Sequence, residues 1–173
     1  NGGSFSYKEN MLGAGKAGST YMSFAHVMEE IADGCASIAD EVGPSKIGTA
    51  SLAYSNITKD EDYEYDANYV ESPYSKNSIA DFTNNIISVE NAYYGGVKGV
   101  NRNEAKSMHN YLKEKDAKLD AKVVAAINAA LEAIGNMPKP FVDNLDSDKN
   151  VDAIKACTAL GEVMGEVAEW FVE

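Results

Sequence analysis

The stretch TYMSFAHVMEEIADGCASIADEV, residues 20–42, decides the fold class. In it Phe24, Met28, Ile31, Cys35, Ile38 and Val42 recur at intervals of four and three. Each residue of an α-helix turns the chain by about 100°, so this spacing lays all six side chains along one stripe. A half-buried strand needs alternation at every second residue, which the stretch lacks. His26, Glu30, Asp33, Ser37, Asp40 and Glu41 fall on the opposite side. Ser19 or Thr20 is placed to cap this helix, and Gly43-Pro44 to stop it.

The same period returns three times. Ile79, Phe82, Ile86, Val89 and Tyr93 form a second stripe, ended by Gly95-Gly96. Ser78, with Asp81 three residues on, reads as its capping box. Leu119, Val123, Ala126, Ile127, Ala130 and Ile134 make a third, between a cap at Asp116 and Gly135. Ile154, Cys157, Gly161, Met164, Ala168 and Phe171 make a fourth, capped by Asp146 or Ser147. A shorter helix is expected over about 103–115, MPKPF reads as a turn, and no segment reads as a strand. The expected fold is all-α: an up-down helical bundle of four main helices plus one short helix. Small residues such as Ala126, Ala130, Gly161 and Ala168 let its helices approach closely. Residues 1–19, rich in Gly and Ser, read as an N-terminal arm or loop, and 20–173 as the bundle. Residues 43–77 hold no period, but Tyr63, Tyr65 and Tyr69 argue for packing, hence a long ordered loop between the first two main helices.

Composition narrows the function classes. The chain has 173 residues, about one domain. Fifteen basic against 27 acidic residues give a net charge of −12, which argues against nucleic acid and anionic membrane surfaces as partners. No apolar run approaches the roughly 18 residues of a membrane span. The opening NGGSFSYKEN has no basic-then-apolar signal, so any targeting signal is expected outside this sequence. Cys35 and Cys157 are too few for a disulfide framework, and both sit in apolar helical patterns as small buried hydrophobes.

Most chemistry-bearing motifs have a plainer reading. His26-x-x-Glu29, with Glu30 beside it, offers two donors where a zinc or iron site needs three or four, and His109 is the other histidine. A solvated helical pair worth about 0.2–0.5 kcal/mol explains it. Asp60-x-Asp62-x-Glu64-x-Asp66 resembles a calcium loop without its Gly and its distal Glu, and DSDKNVD (146–152) has the same faults. A solvated loop and helix caps account for both, so calcium is not expected there. Gly13-x-Gly15-x-x-Gly18 matches a dinucleotide fingerprint in form, but no strand precedes it. ESPYSKNSIADFTNN (71–85) differs. Ser72, Ser75, Asn77, Ser78 and Asp81 gather at one helix start, where free N–H groups favour anions. Farther along, Asn84 and Asn91 share a face, either exposed or lining a polar cleft.

Three ordered blocks carry a resemblance: IADEVGPSKI (38–47), VESPYSKNSIADFTNNIISVENAYYGG (70–96) and LDAKVVAAINAALEAIGNMPKPF (119–141). The most specific pieces are S-x-Y-S-x-N-S-x-x-D from Ser72 to Asp81, and N-A-Y-Y-G-G after it. Over roughly residues 18 to 172 the chain resembles the C-terminal half of the imelysin family, bacterial cell-envelope proteins also classed as M75 peptidases and iron-regulated proteins. It is most similar to the imelysin-like lipoproteins of Bacteroidetes. The resemblance implies two helical-bundle halves with a site where they meet, so the N-terminal half of the same protein is an expected partner. That half supplies a G-x-H-x-x-E motif, which His26-x-x-Glu29 does not match, since Phe24 stands where Gly is needed. The residues that carry over are Glu41, Ser72, Tyr74, Ser75, Asn77 and Asp81. Some relatives have His where this chain has Ile79, which weakens a hydrolytic reading.

The resemblance brings iron or haem as candidate ligand and a lipid anchor, outside this chain, as the attachment to the membrane. The reading that follows is a non-enzymatic binding component of the cell envelope (periplasm or outer membrane) linked to iron or haem uptake. The alternatives are a metallopeptidase that needs the N-terminal half, and a structural or interaction lipoprotein.

Overall fold

The computed structural model describes residues 6–59 and 63–173. Among these described residues seven α-helices form: α1 (Tyr7–Leu12), α2 (Phe24–Asp40), α3 (Leu52–Ser55), α4 (Ser78–Tyr93), α5 (Met108–Lys115), α6 (Ala117–Gly135) and α7 (Asp148–Val172). No strand occurs among the described residues.

The long helices α2, α4, α6 and α7 make the bundle, and α5 is the short helix. Each main helix packs on the next in chain order, and α7 closes the ring on α2. Cross-contacts set the directions. Tyr93 at the end of α4 bonds Asp120 at the start of α6, and Lys122 near the start of α6 pairs with Glu166 near the end of α7. At the far end of α7, Ser51 and Ala53, which follow α2, bond the Leu145 carbonyl just before α7. The result is the up-down bundle the four stripes imply.

Its core is continuous. Phe82 and Phe141 meet edge to face, with ring centroids 5.5 Å apart, and Ile86, Ile127, Ile134, Ile154, Leu160 and Met164 are fully buried in the same core. Cys35 and Cys157 are buried, and burial pushes their thiols up to about 11 and about 12. The α2 face is rotated from the expected stripe. Ala32 and Ala39 join Cys35 and Val42 inside, while Phe24 is 59% exposed. Two alanines at the seam let α2 lie close to α7, and the larger residues move to its flank.

The capping of α2 also differs. Ser23, not Ser19 or Thr20, caps it by accepting the His26 N–H. The other two hydroxyls are occupied by the N-terminal arm, Ser19 donating to the Asn10 carbonyl and Thr20 accepting from the Asn10 amide. That arm holds α1, closed by a Ser6–Glu9 capping box, and it seats Ala14 and Tyr21 on Val27.

Gly43-Pro44 does not stop the chain. Residues Glu41–Gly48 continue from α2 as a π-helical segment with Pro44 inside it. Proline has no N–H to donate and its ring crowds the carbonyl four residues back, and a wider i→i+5 turn relieves that crowding. Gly43 has a different task. A Cβ there would stand 2.8 Å from Cys157 Cβ and 3.1 Å from the Ile154 carbonyl, so glycine is what lets this segment lie on α7. Within the long loop, Tyr63 donates to the Gly48 carbonyl at 2.8 Å and meets Tyr54 edge-on. The calcium-like positions Asp60 and Asp62 lie outside the described residues.

Asp40 gives a pH prediction. Its carboxylate lies over Gly161 on α7, and partial desolvation against that helix, with Glu162 beside it, raises its pKa from the ordinary 3.8, although Asp40 as a whole stays exposed to solvent. A raised carboxylate pKa means that its stabilising contribution is present below 3.8 and lost as pH climbs through the folded-state value. Asp40→Asn is therefore expected to raise the melting temperature near pH 7 (about neutral), with the gain disappearing near pH 3 (roughly below both values). Thermal melts at the two pH values check it.

Candidate functional site

The motif residues lie where the π-segment meets the start of α4. In an α-helix Glu41 and Lys46, five apart, would point about 140° from one another. In the wider π turn they come round to the same side, and Lys46 Nζ lies 3.4 Å from Glu41 Oε1. The same ammonium donates to Glu71 Oε1 at 3.4 Å and pairs with Oε2 at 3.4 Å. Glu71 Oε2 is buried and has this charge contact without a hydrogen bond.

Residue 71 leads directly into the motif. The Ser78 hydroxyl donates to the Glu71 carbonyl, and the Ser72 hydroxyl donates to Asp81 Oδ2 at 2.6 Å. This corrects the expected capping box. Asn77 holds the N-cap position without a side-chain bond, and Ser78 is already the first helical residue. Ser78 and Asp81 instead tie the preceding loop down onto α4. Asp81 keeps the benefit of a carboxylate in the first turn of a helix.

Between those ties the backbone takes an uncommon path. Ser72 and Lys76 both have φ near +57°. Non-glycine residues hold this left-handed conformation at a cost of roughly 1–2 kcal/mol each, so the surroundings must enforce it. The enforcing contacts are Lys76 N–H to the Ser72 carbonyl at 2.9 Å, Lys76 Nζ to Asp143 at 2.9 Å, and the Ser72–Asp81 bond. The turn so pinned presents Tyr74 at 100% exposure, with Ser75 and Asn77 also exposed.

Of the six sequence candidates, Glu41 is tied to Glu71 through Lys46, and Ser72, one residue further along the loop, is tied to Asp81 in the same patch. Tyr74, Ser75 and Asn77 stand outside these ties on the turn, where Ser75 reaches back to the Ser72 carbonyl at 3.4 Å. Lys46 and Glu71, the hubs, were not among the candidates, because the spacing that joins 41 to 46 exists only in a π turn. Asn91 does not extend this surface. It and Glu90 hold Arg102, which also lies over the Tyr94 ring at 4.9 Å.

As donors for iron these residues do not fit by themselves. Lys46 places its own positive charge between Glu41 and Glu71, where a cation would have to stand. Among the described residues no three His, Cys, Asp or Glu side chains are grouped as a metal would need. What the surface offers is hydrogen bonding: hydroxyls, an amide, a phenol and two carboxylates bridged by one ammonium.

A second polar cluster lies toward the other end of α4. Asp120 Oδ1 accepts the Tyr93 hydroxyl at 2.7 Å and meets His109 Nδ1 at 2.6 Å, with Tyr94 packed on the imidazole at 4.7 Å. Burial first, then the bond to Asp120, drives the Tyr93 phenol far above its ordinary value. Tyr93 is fully buried, so Asp120→Ala would leave its hydroxyl without an acceptor, at an expected cost of about 1–3 kcal/mol. Asp120→Asn keeps an oxygen in place and is expected to cost less than about 1 kcal/mol. Urea unfolding of the two variants separates these outcomes.

Comparison with known proteins fits this architecture. The chain aligns with an imelysin peptidase from Bacteroides ovatus at 35% identity and a TM-score of 0.79, covering 94% of this chain and 44% of that one. It aligns with a Parabacteroides distasonis protein described as an iron-regulated protein A precursor at 28% identity and a TM-score of 0.73, covering 94% and 51%. It therefore spans about half the length of these solved relatives. Among curated protein sequences nothing matches. The profile of the imelysin family matches residues 2–166, through the π-segment, the pinned turn, three of the long helices and α7 as far as residue 166. The chain belongs to the imelysin family.

Proposed function

We propose that this chain is part of an imelysin-like cell-envelope protein that binds a ligand in iron or haem uptake, without catalysis of its own. The observation that carries the proposal is the turn 72–76. Two left-handed residues are held by side-chain ties, and what they hold out is a fully exposed tyrosine. A surface loop with no task needs neither the strain nor the ties. Family membership, and a relative described as iron-regulated, support the link to iron. No helix of the described residues is long and apolar enough to cross a membrane. Under this reading the attachment to the membrane is a lipid anchor outside this chain.

The ligand is met by hydrogen bonds from Ser75, Asn77 and Tyr74, with Glu41, Ser72 and Asp81 setting the platform beneath. A metal centre at the same surface would take its donors from outside this chain. Calorimetric titration of the natural-length protein with Fe(II), Fe(III) and haem tests the reading. Saturable heat with any of the three supports it, and flat titrations with all three remove it.

A second reading follows from the Bacteroides ovatus relative, which is described as a peptidase. Under it the missing donors and the catalytic group both come from the other half. Cleavage of casein that chelators abolish would favour this reading over simple binding.

A further inference from the structure

The apolar stripe of α2 outruns the core. Phe24 is largely exposed, Met28 and Ile31 are partly covered, and all three face a groove of about 940 Å³ between α2, α5 and the last turns of α7. The opposite wall is aromatic. Tyr111 stacks on Phe171 with centroids 5.9 Å apart, and Trp170 meets Phe171 edge-on at 5.2 Å. The nine residues of α2 beyond Ile31, about 14 Å of helix, separate this groove from the π-segment and the polar turn, so it is a different surface.

Shape and charge both restrict what fits. A helix about 10 Å across fills about 420 Å³ per turn, so the groove takes about two turns of one. Its long walls are helices, and no strand edge among the described residues offers backbone bonds to an extended peptide. Recognition must therefore come from side chains packing into the groove, the mode by which amphipathic helices dock. Glu114 lies in the lining, opposed by Lys106. The depression that shares Trp170 with the groove carries Asp116, Glu166, Glu169 and Glu173 against Lys118 and Lys122. Lys122 is already paired with Glu166 at 2.6 Å, which leaves the rim acidic, as is the chain at −12. Tyr111 and Trp170 add faces suited to lysine or arginine.

We propose that this groove docks a basic amphipathic helix from a partner protein. Trp170 is the chain's single tryptophan, so its emission reports on the groove directly. Two peptides of about four helical turns, sharing one leucine stripe, differ in having lysine or glutamate on the polar face. The lysine peptide is expected to shift Trp170 emission to the blue, saturably and at least about tenfold more tightly than the glutamate peptide. High salt should weaken it. Phe24→Ala, a change at an exposed position that leaves the core intact, should reduce its affinity by about tenfold. The proposal is overturned if neither peptide moves the emission, or if both bind equally. It is also overturned if the chain alone elutes as a dimer whose Trp170 is already blue-shifted and unresponsive, the mark of a second copy in the groove.

Discussion

Replacing Phe82 by alanine is expected to lower the unfolding free energy by about 3–5 kcal/mol. Phe82 has no exposed surface, sits at the first turns of α4, and packs edge to face on Phe141 at 5.5 Å. The ring thus joins α4 to the short segment that leads into α7. Removing it forfeits the transfer energy of the side chain and leaves a void among Ile79, Ile86 and Phe141, which helices fixed at both ends cannot fill by collapse. For a chain of this length the melting temperature should fall by roughly 10 °C. Urea denaturation is the direct check. A loss below about 1 kcal/mol would mean that the Phe82–Phe141 contact is not the centre of the core.

Gly43→Val is expected to cost about 3 kcal/mol for the opposite reason, too much volume instead of too little. The added Cβ meets Cys157 Cβ and the Ile154 carbonyl, both fixed in the middle of α7. Neither can swing aside, so the π-segment would have to lift from α7. Glu41 and Lys46 would move with it. Gly161→Ala is the control. The group that a Cβ would meet there is the Asp40 carboxylate, the far end of a side chain that can turn away, so its cost should stay below about 1 kcal/mol. Comparable losses for the two variants would contradict the packing account.

These two positions show what a reader of the sequence can and cannot see. The four long helices were legible because their apolar residues keep the 3.6-residue period through whole elements, and Asp116 and Ser147 cap as their spacing suggests. Gly43-Pro44 was not, because the pair reads as a stop when only α-helical geometry is considered. The π turn that keeps it helical depends on contact with α7, far along the chain. Ser19 and Thr20 look like caps, yet tertiary bonds with Asn10 occupy both hydroxyls, and Ser23 is left to do the capping.

The candidate site divides in the same way. S-x-Y-S-x-N-S-x-x-D can be recognised in the sequence, but the division of labour inside it cannot. Ser78 and Asp81 look like a capping pair and instead anchor the loop. Lys46 had no visible reason to join Glu41. Phe24 belongs to a stripe that reads as core-facing throughout, although the last layer of the bundle stops short of it and leaves a groove. Local spacing fixes which side chains share a face. It does not fix how far the neighbouring helix extends to cover them.

The binding account rests most directly on Tyr74, because a fully exposed side chain has no packing to lose. Its test is calorimetric titration of the wild-type and Tyr74→Ala proteins with iron and haem, each paired with a thermal melt. The account predicts at least about a tenfold loss of affinity, or about 1.4 kcal/mol, with a melting temperature unchanged within about 2 °C. Equal affinity in the two proteins would contradict it, and would leave the pinned turn as a structural element alone.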